Sequence, residues 1–403
     1  MPLTNPTLVL NCGSSSLKYA LISEDNSTRI EGLAEGLGLE TAKIKHKNEA
    51  GEKQTINLPN ANHKQALTKI LSLLEKHKPV AVGHRTVHGG SKFSQAQQVT
   101  PEVLAAIKEL SALAPLHNPA NVLGIKAIAE VYPDLPQVVV FDTAFHQTMP
   151  EVAFRYAIPK NLYEEDKIRR YGFHGTSHAY VSNRASELST AKGNHNTKGW
   201  ITAHLGNGCS AASVYDGKSM DSSMGLTPLE GLMMGTRSGD VDPSLHAHLN
   251  RTKGWSIEEI DTMLNKKSGF LGVSGVSSDM RVIEETAADN NHPSQVDAKL
   301  ALDMFCYRVA KYIASLSCAL PEFTGIVFTG GIGENGAKAR EQIIKQLRYF
   351  GISMNTAKNA KLIRGAEGSF HNAESKLELW VVPTDEEYRI AQETTEVLAK
   401  KSI

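Results

Sequence analysis

An excess of charge of one sign is missing from this chain: 43 Lys and Arg stand against 43 Asp and Glu. That balance argues against a nucleic acid or an anionic membrane as the main partner. Cysteine is scarce. The residues Cys12, Cys209, Cys306 and Cys318 form no CxxC pair, which excludes a disulfide scaffold and suits a reducing, cytoplasmic setting. No stretch reaches the ~18 apolar residues of a membrane helix, because Lys, Glu, Gly or His interrupts every candidate. Met1 to Asn11 contains no basic residue, so no signal peptide is expected there. What is present is 403 residues, 41% of them hydrophobic, enough for two or three domains at roughly 100 to 200 residues each.

One local pattern occurs twice. Leu8–Leu10, then Asn11-Cys12-Gly13-Ser14-Ser15-Ser16, then Leu17–Ile22 predicts two strands joined by a small-residue turn. Trp200–Leu205, Gly206-Asn207-Gly208-Cys209-Ser210 and Ala211–Tyr215 repeat it half a chain later, which suggests two related halves. Further short β-rich runs at Val80–Val82, Gln137–Phe141, Ile326–Thr329 and Leu379–Val382 alternate with helical segments, so a mixed α/β sheet covered by helices is expected. Helix starts are predicted with Thr100 capping before Pro101, Asn118 capping before Pro119, and a capping box between Ser256 and Glu259. Pro293–Ala319 predicts a long buried helix whose core stripe is Leu300, Met304, Tyr307, Ala310, Ile313 and Leu316.

Glycine-rich turns after strands, at Gly13, Gly206/Gly208 and Gly330/Gly331/Gly333, let backbone N–H groups approach phosphate oxygens, although a glycine turn can equally just turn. Gly331-Ile332-Gly333-Glu334-Asn335-Gly336 has the form GxGxxG, follows a strand and is expected to open a helix through Leu347. The acidic ribose partner of a dinucleotide site, due about 20 residues on, is absent around Ile352, and Ala337 occupies the place of a P-loop lysine. Arg85 and Arg237 each sit among glycines, where a guanidinium fork suits a carboxylate or phosphate and a surface ion pair is the alternative. Asp142 leaves the strand Val138–Phe141, where open α/β sheets keep their ligands. Asp385-Glu386-Glu387 offers oxygen to a hard cation or simply complements a helix N-terminus. The pairs His84/His88 and His174/His178 lack the Glu of HExxH, which disfavours zinc. His174 could donate to a transferring phosphoryl group or cap its helix.

Asn11-Cys12-Gly13-Ser14-Ser15-Ser16-Leu17-Lys18 and Gly172-Phe173-His174-Gly175-Thr176-Ser177-His178 resemble the two signatures of the acetate kinases. The likeness continues through Gly83–Gly90, Phe141–His146, His204–Gly208, Gly235–Pro243, Asp279–Arg281 and Gly331–Asn335. It implies an α/β fold of two related domains, each of the actin-like ATPase (ribonuclease H-like) type, with an interdomain cleft. The expected N-terminal domain is 1–149 plus 386–403; the nucleotide-binding domain is 150–385. By the same resemblance, Asn11 and Glu386 hold Mg²⁺, with Mn²⁺ as a substitute. ATP or ADP is bound by Ser14, Ser16, Lys18, His204, Leu205, Gly206, Asn207, Gly208, Asp279, Met280, Arg281, Gly331, Ile332, Gly333, Glu334 and Asn335. Arg85 binds substrate, and Val87, Leu116, His117, Phe173 and Pro228 line a small pocket for its methyl group. Asp142 is implied as the active-site acid, and His174 and Arg237 as transition-state stabilisers.

The activity implied is reversible phosphoryl transfer from ATP to acetate, by a cytoplasmic homodimer without nucleic-acid or membrane partners. A propionate or other short-chain acyl kinase is the alternative, since one methylene is worth only ~1–3 kcal/mol of discrimination. A non-kinase ATPase of the same fold and a dinucleotide dehydrogenase are further readings. Acetate is already an anion at neutral pH, so Asp142 is expected to orient an Arg or a metal-bound water and not to abstract a proton.

Overall fold

The computed structural model describes residues 3–114 and 117–400, and the chain separates into two compact units, Met1–Gln147 with Asp385–Ile403, and Thr148–Thr384. In the first unit β1 (Thr7–Cys12), β2 (Ser16–Ile22), β3 (Arg29–Glu35), β4 (Lys43–Lys47), β5 (Lys53–Asn57), β6 (Ala81–Thr86), β7 (Gln97–Gln98) and β8 (Gln137–Phe141) form one sheet in the order β5-β4-β3-β2-β1-β6-β8-β7. In the second, β9 (Gly199–Leu205), β10 (Cys209–Tyr215), β11 (Lys218–Ser222), β12 (Gly325–Thr329), β13 (Gly368–Ser369) and β14 (Glu378–Val381) are ordered β11-β10-β9-β12-β14-β13.

The two sheets share one plan. β3-β2-β1 and β11-β10-β9 are antiparallel meanders, and each is extended by two parallel strands, β6 and β8 or β12 and β14. The repeated hairpin is the visible trace of this duplicated ribonuclease H-like arrangement. Its parallel strands are apolar on both faces, as β8 (QVVVF) and β12 (GIVFT) require when helices cover the sheet. Along β1 the pleat alternates. Leu8 and Leu10 pack with Leu67, Ile70 and Ile128 of two helices, whereas Val9 faces Ile390 and Ala391 of the helix Glu386–Ala399. In the second unit the helix Gly175–Ala191 presents Val181 and Ala185 to Trp200, Val327 and Trp380. Among the described residues no helix is long and apolar enough to cross a membrane.

Several local expectations are met. Thr100 caps the helix Pro101–Glu109 through the amide of Val103, and Ser256 and Glu259 form the capping box. Others need correction. Asn118 is not a cap: it is the first residue of the helix Asn118–Val131, and its buried side chain accepts from His88 N and donates to His88 O. The long helix runs Gln295–Leu316, but Leu300 and Tyr307 are exposed, while Ala298, Ala301, Phe305 and Val309 are buried. Ala310, Ile313 and Leu316 of the expected stripe are buried as read, and Met304 is half-buried, so the departure is confined to Leu300 and Tyr307. Finally, the GxGxxG run does not simply precede a helix. Gly330–Asn335 is itself helical, and Gly336 separates it from Ala337–Gln346.

Candidate active site

In the first unit, Arg85 on β6 and Asp142 just past β8 sit on neighbouring parallel strands. Arg85 donates through Nε and Nη2 to the two Asp142 carboxylate oxygens, at 3.0 and 2.5 Å. Glu386, at the start of the C-terminal helix, places Oε2 3.8 Å from Arg85 Nε. Burial pushes the Asp142 carboxyl up to about 6, Arg85 draws it down, and Glu386 raises it again. Arg85 itself is held protonated above its ordinary range by the two carboxylates, against its burial. One guanidinium thus faces two carboxylates. The other members of the acidic trio have different partners: Asp385 caps Tyr388 N and meets Arg29 at 2.6 Å, and Glu387 pairs with Lys18.

The strand end carrying Arg85 is fixed by side chains that sequence reasoning missed. Asn121 accepts from Val87 N and donates to Cys12 O, Asn118 brackets His88, and Thr143 accepts from Gly89 N. Their signal in the sequence is faint, because Asn in a first helical turn reads as a cap. Val87 is buried and His117 exposed. Leu116 lies outside the described residues.

In the second unit, His174 precedes its helix in the left-handed conformation, with φ of 55°, an uncommon region for a residue with a Cβ. Its ring does not cap the helix. Nδ1 hydrogen-bonds Ser210 Oγ at 2.8 Å, Ser210 Oγ meets His178 Nε2 at 2.8 Å, and His178 Nδ1 reaches Thr202 Oγ1 at 2.7 Å. His204 stacks on His174 with ring centroids 4.3 Å apart, and its own Nδ1 is 2.8 Å from Ser177 Oγ. His204 therefore buttresses His174. Arg237 donates to the Pro228 carbonyl at 2.8 Å and has no carboxylate partner among the described residues. Burial lowers its proton affinity. Gly208 makes room for both groups: a Cβ there would stand 3.3 Å from Arg237 Nη2 and 3.6 Å from His174 Nε2. A guanidinium edge and an imidazole edge therefore converge on one stretch of bare backbone, which is the electrostatics a phosphoryl group needs.

The Arg237 loop is tied down at its far end. Asp240 Oδ1 accepts from Gly231 N at 2.7 Å, its Oδ2 accepts from Tyr312, and Arg308 donates to Asp240 O at 3.0 Å. Tyr312 and Arg308 lie on the long helix, far away in sequence, and no motif announces them.

A cavity of about 880 Å³ opens beside these groups within the second unit. Of the residues expected at ATP, Gly206, Asn207, Asp279, Met280, Arg281, Gly331, Ile332 and Asn335 line it. Ser278, Glu284, Gly336, Ile363 and Arg364, which were not expected, line it too. Leu205, Gly333 and Glu334 do not. Leu205 is core, Gly333 O accepts from buried Arg340, and Glu334 Oε1 accepts from Gly330 N and Thr384 N at 2.9 and 3.1 Å. Gly330 is left-handed (φ +75°), and a Cβ would meet Leu205 O at 2.8 Å, so only glycine starts this turn. Ser14, Ser16 and Lys18 belong to the first unit. Phe173 is buried and Pro228 half-buried in the second.

The donor set in the first unit fits a hard divalent cation. Among the described residues Glu386 has only the long contact to Arg85, in a cluster of two anions and one cation, and Asn11, next to last in β1, carries an amide oxygen. Two protein oxygens suit Mg²⁺, which keeps several waters. Among the described residues no group of His, Cys, Asp and Glu forms a cage for another metal.

A profile of the acetokinase family matches residues 6–392. An acetate kinase of Stutzerimonas stutzeri is 52% identical over 396 residues, covering 97% of this chain and 98% of that one. The crystal structure of Porphyromonas gingivalis acetate kinase superposes with a TM-score of 0.90 at 45% identity, covering 98% and 100% of the two chains. A propionate kinase from Francisella tularensis superposes with 0.91 at 45% identity, over the same shares of the chains. With a profile match over almost its whole length, this chain belongs to the acetokinase family.

Proposed function

We propose that this chain catalyses ATP + acetate ⇌ ADP + acetyl phosphate. One acetate oxygen attacks the γ-phosphorus in line, and the bond to the β–γ bridging oxygen breaks as ADP leaves. The observation that carries this reading is Arg237: a half-buried guanidinium without a carboxylate partner among the described residues, beside His174, at a glycine turn whose residues Gly206 and Asn207 line a nucleotide-sized cavity. A loose transition state spreads negative charge over the equatorial oxygens of the phosphoryl group, and Arg237 and His174 stabilise that charge without forming bonds. The polyphosphate is cradled by the backbone of Gly206–Gly208 and Gly331. Arg85 receives the acetate carboxylate, and Asp142 holds the guanidinium flat through its bidentate contact. The family resemblance assigns the methyl group to Val87, Leu116, His117, Phe173 and Pro228.

Asn11 and Glu386 would hold Mg²⁺, which when bound neutralises phosphate charge. The proposal includes a cytoplasmic homodimer, tested by cell fractionation and sedimentation equilibrium. The activity is tested by ADP release with Mg²⁺ and ATP across formate, acetate, propionate and butyrate. Acetate should give the highest kcat/KM, with propionate lower by ~10- to 100-fold. Acceptor-independent ADP release would mark a non-kinase ATPase, and a preference for propionate would move the reading to the alternative acyl kinase.

A further inference from the structure

Two acidic side chains line the nucleotide-sized cavity, Asp279 and Glu284, and they differ in what they already hold. Asp279 accepts from Arg281 N, Nε and Nη2 at 2.9, 3.1 and 2.6 Å, so its oxygens are occupied. Glu284 stands one turn beyond Met280 on the helix Met280–Ala288, and its Oε1 is buried without a hydrogen-bond partner among the described residues. Its carboxyl is raised by burial, and Lys338, an exposed residue, draws it back.

A buried acceptor left unpaired is costly, and a carboxylate in a ligand cavity is completed by a donor on the ligand. On the reading above, that ligand is a nucleotide. Its phosphates offer only acceptors and negative charge, which Glu284 repels. Its neutral donors are confined to the nucleoside half: the ribose hydroxyls and the exocyclic amine of the base. The N–H donors of the glycine turns at Gly206 and Gly331 meet the opposite requirement, that of the polyphosphate. We infer that Glu284 accepts a hydrogen bond from the nucleoside half of the bound nucleotide, and so is a specificity-determining residue that sets which end of the nucleotide enters which part of the cavity.

Glu284→Met removes the acceptor and keeps the side-chain length. Calorimetry on the full chain, without acetate, compares ATP, inorganic tripolyphosphate, 2′-deoxyATP, 3′-deoxyATP and purine riboside triphosphate, which lacks the amine. The variant should bind ATP roughly 10- to 100-fold more weakly and tripolyphosphate no more weakly than the parent does. One analogue, the one lacking the donor that Glu284 holds, should bind the parent as poorly as ATP binds the variant, and lose nothing further in the variant. Its identity separates sugar from base. Unchanged affinity for ATP, an equal loss for tripolyphosphate, or undiminished discrimination among all three analogues would overturn the inference. A parent chain that fails to bind ATP defeats the activity reading as well, whereas a parent that binds ATP alongside an unaffected variant defeats this inference alone.

Discussion

Arg85 and Arg237 are the same side chain set in opposite electrostatic surroundings. In the first unit Arg85 is forked onto Asp142 and approached by Glu386, a cluster whose formal charge is 1 − 2 = −1. In the second, Arg237 leans on a carbonyl and keeps its whole positive charge. The comparison teaches that a guanidinium's role is set by what neutralises it. The first cluster is short of a cation and holds its Arg rigid for a carboxylate; the second is short of an anion and suits a phosphoryl group.

Removing Arg85 should have the largest effect. Arg85→Met leaves Asp142 buried and unpaired, which should cost ~3–5 kcal/mol of stability, read as a lower denaturation midpoint at pH 8, together with lost turnover. Arg237→Met should instead lower kcat on the order of 10²- to 10³-fold with the midpoint nearly unchanged, and Arg237→Lys should recover only part because an ammonium cannot fork. Equal losses of stability in the two variants would break the comparison.

Protonation sharpens it. With Asp142 pushed up to about 6, log kcat/KM should fall with a one-proton slope as pH drops below that value, since the neutral carboxyl releases the Arg85 fork. Asp142→Asn should lose this limb. The stability linkage has the opposite sign. A carboxyl raised on folding contributes stability fully below its ordinary value of 3.8, and that contribution is lost as pH rises through about 6. Across this window activity should therefore climb while this group's stabilisation fades, which parallel activity and urea-midpoint titrations can check. The smallest effect is expected at the cluster's edge: Glu386→Gln should raise the Mg²⁺ needed for half-maximal rate by roughly 10-fold, and Arg237→Met should not. A matching shift in both would show that the two clusters are not electrostatically distinct.

Much of the fold could be read directly because its strands are short, apolar and bounded by small residues, as Gln137–Phe141 and the two hairpins illustrate. The reading failed where a tertiary partner outbid a local preference. Asn118 looks like a cap, but the buried backbone of His88 claims its amide. Leu300 and Tyr307 look like core, but the neighbours of that helix contact its Ala-rich side. The Glu334 carboxylate ties the amide of Gly330 to that of Thr384, a partner 50 residues away that no local pattern announces. Glu284 and Tyr312 could not have been found from spacing, because nothing in a helix sequence marks which exposed-looking carboxylate or phenol faces a cavity or a loop.

The order of amino acids settled the alternation of strands and helices, the twin hairpins, and the placement of Arg, Asp and His among glycines, since these depend on backbone freedom and on residues adjacent along the chain. Folding in three dimensions decided which guanidinium is neutralised, which carboxylate keeps an oxygen without a partner, and which histidine supports another. Those outcomes depend on burial and on the few ångströms between groups that are distant in the chain, quantities that no linear pattern encodes.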